Sequence, residues 1–134
     1  QSLAPDERSR IHVSEDDALV RGDATLLATM VHNALTNGLK FGHEVTTKID
    51  RQGNTATIQF DDEGPGVAPG DRERVFEPFF RSASATRNRL PGHGLGLALV
   101  RHIAETHGGT AAFVDAKPQG ARLEIRLPTD DPRS

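Results

Sequence analysis

Residues 24–41 read ATLLATMVHNALTNGLKF, and the fold turns on this stretch. Leu27, Met30, Val31, Ala34, Leu35 and Leu39 recur at steps of three and four, the period of a helix with one face turned to a core. Asp23 stands where an N-cap belongs and Gly42 where a helix stops, so the spacing predicts a helix over Ala24–Phe41. The same stretch carries an unusual polar set. Asn33, Asn37 and Lys40 lie on one face, within roughly 60° of one another at about 100° per residue. Amides are mediocre helix formers, so two of them above a lysine call for a reason. One reading is a strip facing an anionic ligand, where an amide oxygen ligates Mg²⁺ and the ammonium meets a phosphate. The other is a solvated helix edge, which produces the same pattern.

Outward from this helix the chain alternates between strand and turn chemistry. Upstream, residues 1–9 are polar and expected to fray, and Arg10–Val13 alternates as a short strand does. Downstream, Val45–Asp50 and Thr55–Asp61 flank Gln52-Gly53-Asn54, which predicts a hairpin. Glu63–Gly70 is a loop broken by glycine and proline, and Asp71–Val75 is expected to make one helical turn before Phe76-Glu77-Pro78-Phe79-Phe80. Residues 81–93 are small and polar, the composition of a mobile loop. Helical periodicity returns over Gly94–His107, and Thr110–Val114 with Arg122–Leu127 predict a last hairpin. Residues 10–128 thus form one domain between an N-terminal stub (1–9) and a tail (129–134). Helices and strands do not alternate strictly. The expected architecture is an α/β two-layer sandwich, a mixed and mostly antiparallel sheet with helices on one face.

Two further segments carry chemistry. Asp62-Glu63-Gly64-Pro65-Gly66 follows a strand directly. Its glycines let the backbone turn and approach a ligand, and a carboxylate at the strand end can accept a hydrogen bond from the exocyclic amine of a purine. An acidic turn after a hairpin is the plainer reading. Gly92-His93-Gly94-Leu95-Gly96-Leu97 opens a helix, where free N–H groups and the helix dipole favour phosphate. It lacks the spacing of a dinucleotide fingerprint, and no GxxxxGK[ST] occurs, which excludes a P-loop site.

Taken in order, with Phe76–Phe80 between the last two, these segments resemble the sensor histidine kinase catalytic domain, a branch of the gyrase–chaperone–histidine kinase–mismatch-repair ATPase superfamily, in an actinobacterial flavour. Residues 33–41 resemble its asparagine box, Asp62–Gly66 its first glycine box, Val75–Arg81 its phenylalanine box and Gly92–Leu97 its second glycine box; Gly108-Gly109-Thr110 and Gly120 resemble its last hairpin. The resemblance implies the Bergerat-type sandwich, with ATP and Mg²⁺ as cofactors. It implies that Asn37 holds the metal, with Asn33 in support and Lys40 on the phosphates. Asp62 takes the adenine amino group, and Gly64 and Gly66 shape the base pocket. Gly92, Gly94 and Gly96, with His93, Leu95 and Leu97 between and beside them, form the lid and the following helix that close on the triphosphate. Arg81, Arg87 and Arg89 lie in or beside that lid, and Phe76 with Phe79 or Phe80 anchors it. Two positions depart from the family's pattern: Gly38 replaces the usual Ala, and His93 a small or hydroxyl residue. The lid side chain of His93 reads as solvent-facing or as touching phosphate.

Composition narrows the class. Six Phe with no Trp or Tyr offer few stacking platforms, and a net charge of −3 with signs interspersed offers no duplex-binding face, so no nucleic acid is expected. The absence of cysteine excludes zinc–thiolate sites and thiol nucleophiles. His12, His32, His43, His102 and His107 lack metal-ligand spacing and read as surface residues. No apolar run approaches the roughly 20 residues that span a bilayer. The chain opens at Gln1, as an excised, monomeric cytoplasmic piece of an inner-membrane-anchored sensor would.

The hydrolase branches of the superfamily carry a Glu four residues before the metal-binding Asn, and here that position is Asn33. An amide cannot take a proton from water, which favours phosphoryl transfer over hydrolysis. No His-Glu or His-Asp pair followed by proline lies on a helical segment, so the phosphoacceptor histidine is expected on a separate dimerisation domain of the full-length kinase, with a response regulator beyond it. A serine kinase of the anti-sigma type and an ATP-binding module without activity are the rival readings.

Overall fold

The computed structural model describes residues 11–15, 22–41, 44–64, 66–80, 96–114 and 120–129. Strand β1 (Ile11–Glu15) is followed by α1 (Ala24–Phe41), β2 (Val45–Gln52), β3 (Thr55–Asp62), two single 3₁₀ turns (Pro69–Asp71 and Arg74–Phe76), α2 (Gly96–Thr106), β4 (Thr110–Val114) and β5 (Ala121–Pro128). The helix begins at the expected cap. The Asp23 carboxylate accepts from the Leu26 N–H at 3.0 Å, and the Asp23 carbonyl accepts the first helical bond from Leu27.

The five strands form one sheet in the order β1-β2-β3-β5-β4. β1 pairs with β2 in parallel, Ile11 opposite Val45, and every other pairing is antiparallel, which is the mixed sheet expected. The strands outrun their sequence limits. Gln52 pairs with Thr55, leaving Gly53 and Asn54 as a two-residue turn, and Gly53 has φ +58°, the sign a type II′ turn requires at its first position. β1 runs two residues further at its end than the alternation of residues 10–13 suggested, because its length is set by pairing along β2; Arg10 lies outside the described residues.

Both helices lie on one sheet face. Along β5, Ala121, Leu123, Ile125 and Leu127 are buried and the residues between them are not. They meet Met30, Ala34 and Leu39 of α1, Val100, Ile103 and Ala104 of α2, and Phe60, Phe76, Ala111 and Phe113 in one core. α2 stops at Thr106, one residue before the expected end. The Gly109 N–H reaches the Ala104 carbonyl and the Gly108 N–H that of Glu105, with Gly108 at φ +81°, a Schellman closure.

His107 is more than a surface residue. Its Nε2 accepts from the Asp23 N–H at 3.1 Å while Nδ1 lies 2.8 Å from the Ile103 carbonyl, which fixes the Nδ1–H tautomer. The imidazole joins the end of α2 to the start of α1, and Gly22 leaves room for it, since a Cβ there would strike the ring.

Candidate functional site

Asn33 is half-buried on α1, and its Nδ2 donates to the Thr29 carbonyl one turn back, at 2.9 Å. That bond turns Oδ1 outward, toward the start of α2: a Cβ on Gly96 would lie 3.3 Å from it. The structure therefore brings the asparagine segment and the end of the second glycine segment together. Asn37 is half-buried and its amide has no hydrogen-bond partner among the described residues; Lys40, also half-buried, closes the strip.

Gly38 is buried one position beyond Asn37. A Cβ there would lie 2.7 Å from Val45 Cγ2 and 3.8 Å from the Asp62 Cβ. The missing methyl thus lets α1 settle onto β2 and against Asp62. This close approach depends on a residue seven positions on, Val45, and the helix sequence alone does not announce it.

Asp62 ends β3 on the helix-covered face, with 9% of its surface exposed. Oδ1 accepts from the Gly64 N–H at 2.8 Å, and the Ala121 N–H is the second backbone donor to the carboxylate. Burial pushes the Asp62 carboxyl above its ordinary value; the two N–H groups pull the other way and the neighbouring Asp61 carboxylate adds a smaller push upward. Asp61 points to the opposite face, where Arg122 holds it through Nε at 2.6 Å and Nη2 at 3.2 Å.

Two glycines make this cradle possible. Gly66 has φ +82° and a Cβ on it would come within 2.9 Å of the Gly120 carbonyl; Gly120 has φ +104°, and a Cβ on it would run into the Asp62 carbonyl. The loop after β3 and the start of β5 therefore pack backbone against backbone. Gly120 and Ala121 are site residues that the sequence did not reveal. Ala121 acts through a main-chain N–H that any residue possesses; only Gly120, ahead of an alternating strand, left a trace.

Of the phenylalanine segment, Phe76 is the one buried in the core, its ring 5.6 Å from that of Phe113. Phe79 is not. It is 71% exposed at φ +69°, a left-handed conformation costly for a side chain of this size. Phe80 is half-buried beneath the Arg74 guanidinium, 4.9 Å from its ring. Leu97 packs against the core. Arg81, Arg87, Arg89, Gly92, His93, Gly94 and Leu95 lie outside the described residues, as does Pro65. Among the described residues no group of three His, Cys, Asp or Glu is placed to hold a metal, and no helix is long and apolar enough to cross a membrane.

Residues 22–131 match the family model described as histidine kinase-, DNA gyrase B- and HSP90-like ATPase. The chain is 36% identical over 129 residues to the sensor protein RstB of Escherichia coli, covering 96% of this chain and 30% of RstB. It is 39% identical over 112 residues to the sensor-like histidine kinase SenX3 of Mycobacterium tuberculosis, covering 81% of this chain and 27% of SenX3. The chain thus spans less than a third of these relatives. Among solved structures it is similar to the mycobacterial sensor histidine kinase MprB, with a TM-score of 0.80, 32% identity and coverage of 92% of this chain and 86% of that one. The ATP-binding domain of PrrB from Mycobacterium tuberculosis aligns with a TM-score of 0.69 and 33% identity, covering 96% and 84%. Full-length ShkA in complex with AMPPNP aligns with a TM-score of 0.75 and 26% identity, covering 93% and 27%.

Proposed function

The chain belongs to the histidine kinase-, DNA gyrase B- and HSP90-like ATPase family, and from that premise we propose that it is the catalytic domain of a sensor histidine kinase. It binds Mg-ATP and passes the γ-phosphate to a histidine on a separate dimerisation domain, from which a response regulator takes it. In this reading the full-length protein is anchored in a membrane with this domain in the cytoplasm.

The observation that carries the reading is the Asp62 cradle. A buried carboxylate held by two backbone N–H groups beside a close-packed glycine turn can accept from an adenine amino group. The rest of the strip supplies the phosphate end. Asn37 carries an amide oxygen suited to Mg²⁺, which takes one or two protein ligands and completes its shell with phosphates and water. When bound, the ion neutralises charge on the triphosphate. Lys40 meets the phosphates, and the Gly92–Leu97 run with His93 and Arg81 contributes to binding them. Asn33 supplies no base: its Nδ2 is bonded to the Thr29 carbonyl and an amide oxygen does not take a proton at neutral pH. That favours transfer to a histidine over attack by water.

The test is calorimetric titration of the chain and of Asn37→Ala with AMPPNP, with and without Mg²⁺. The Mg²⁺-dependent gain in affinity should vanish in Asn37→Ala while the melting temperature stays unchanged. An undiminished gain would remove Asn37 from the metal site, and tight Mg²⁺ binding without nucleotide would place the metal elsewhere.

A further inference from the structure

Arg101 lies in the second turn of α2, and its guanidinium is engaged from three directions. Nε and Nη2 donate to the Ala111 carbonyl of β4, at 3.1 and 2.8 Å. Nη1 and Nη2 donate to the two Glu73 carboxylate oxygens, at 2.8 and 3.2 Å. The guanidinium carbon stands 3.9 Å above the centre of the Phe76 ring. One side chain thereby joins helix α2, the edge strand β4 and the aromatic turn.

Stability is a poor reason for so elaborate a contact. The pair with Glu73 is exposed at the carboxylate, and exposed ion pairs contribute little. Geometry is a better one. Val100, Ile103 and Ala104 hold α2 to the core by apolar packing, which is non-directional and resists a shift along the helix axis less sharply than hydrogen bonds of fixed direction do. The contacts that resist such a shift most sharply are directional. His107 ties the C-terminal end of α2 to Asp23, and the planar fork of Arg101 ties its first half to β4 and the aromatic turn. What that first half carries is Gly96, where a Cβ would lie 3.3 Å from Asn33 Oδ1.

We propose that Arg101 is a positioning residue for nucleotide binding: its fork fixes where the start of α2 stands relative to Asn33, and so whether phosphate meets both at once. This rests on the reading of Asn33 and the start of α2 at Gly96 as the phosphate end of an ATP site. Arg101 itself touches no nucleotide in this account.

The experiment is AMPPNP titration by calorimetry with Mg²⁺, paired with melting curves, for the parent chain, Arg101→Met, Arg101→Lys and Ile58→Ala. Met keeps the stem over Phe76 and removes all four hydrogen bonds. Ile58→Ala loosens the core at a β3 position that makes none of the Arg101 contacts and serves as the stability control. Arg101→Met should weaken AMPPNP binding about tenfold, a usual size for coupling between sites, whereas Ile58→Ala lowers the melting temperature and leaves affinity within about twofold. Arg101→Lys, which keeps the charge without the fork, should fall between parent and Met, and it decides the matter alone should the Met variant fail to fold. Parent-like affinity in both Arg101 variants overturns the proposal, as does an equal affinity loss in Ile58→Ala. A parent chain that binds no AMPPNP overturns the ATP-site reading itself.

Discussion

Asp62 and Glu73 are carboxylates of one small domain, and their surroundings send them in opposite directions. Burial pushes Asp62 up, against the pull of two backbone N–H groups, whereas the Arg101 guanidinium holds the fully exposed Glu73 below its ordinary value. The first acid is buried with main-chain N–H donors around it, and in the proposed reading it takes an adenine amino group as well. The second already has its partner and serves the scaffold. In that reading the contrast separates a binding carboxylate from a structural one more sharply than either position in the sequence does.

The cradle around Asp62 is the place to break this contrast most severely. Gly120→Ala forces a side chain into φ +104° and drives its Cβ against the Asp62 carbonyl. It should cost at least about 2 kcal/mol, from backbone strain with a clash added, measurable by urea denaturation. Nucleotide binding should fall with it. A variant as stable as the parent would mean that the loop after β3 is not pinned by β5.

A pH series sharpens the same comparison, because the two acids should show slopes of opposite sign. The unfolded chain loses the Asp62 proton near 3.8, before the folded chain does, so folding binds a proton across that window and stability falls as pH rises through it. The melting temperature of the parent minus that of Asp62→Asn should therefore decrease from the ordinary carboxylate range upward. Glu73 behaves in reverse. Its stabilisation is present above its ordinary value of 4.5 and is lost as pH falls below it. The parent minus Glu73→Gln difference should increase with pH, and it is the smallest effect predicted, since the pair is solvent-screened. Slopes of the same sign would erase the distinction between the two carboxylates.

Much of the fold was legible because its signals are local. Asp23 caps a helix whose apolar period runs unbroken from Leu27 to Leu39, and Gly53 marks a tight turn between alternating strands. The strand order, with β5 inserted between β3 and β4, is not local and had to come from pairing. The site divides in the same way. Asn33, Asn37 and Asp62 were singled out by spacing and by the order of the segments, since a solvated helix edge or an acidic turn would show the same residues. Arg101 and His107 were not, because their partners lie 28 and 84 residues away and nothing in a basic or aromatic residue on a helix announces such a partner. Among Phe76, Phe79 and Phe80 composition distinguishes a packed phenylalanine poorly from an exposed one, and only the structure shows Phe76 in the core and Phe79 exposed.

The account stands or falls on Asp62 as the residue that reads the base. Calorimetric titration of the parent and of Asp62→Asn with ATP and with GTP, at saturating Mg²⁺, tests it directly. The parent should prefer ATP clearly. Asp62→Asn presents a donor where an acceptor is needed, and should lose about tenfold or more in ATP affinity, the worth of a charged hydrogen bond. Equal ATP and GTP affinities in the parent, or unchanged ATP affinity in Asp62→Asn, would contradict the assignment.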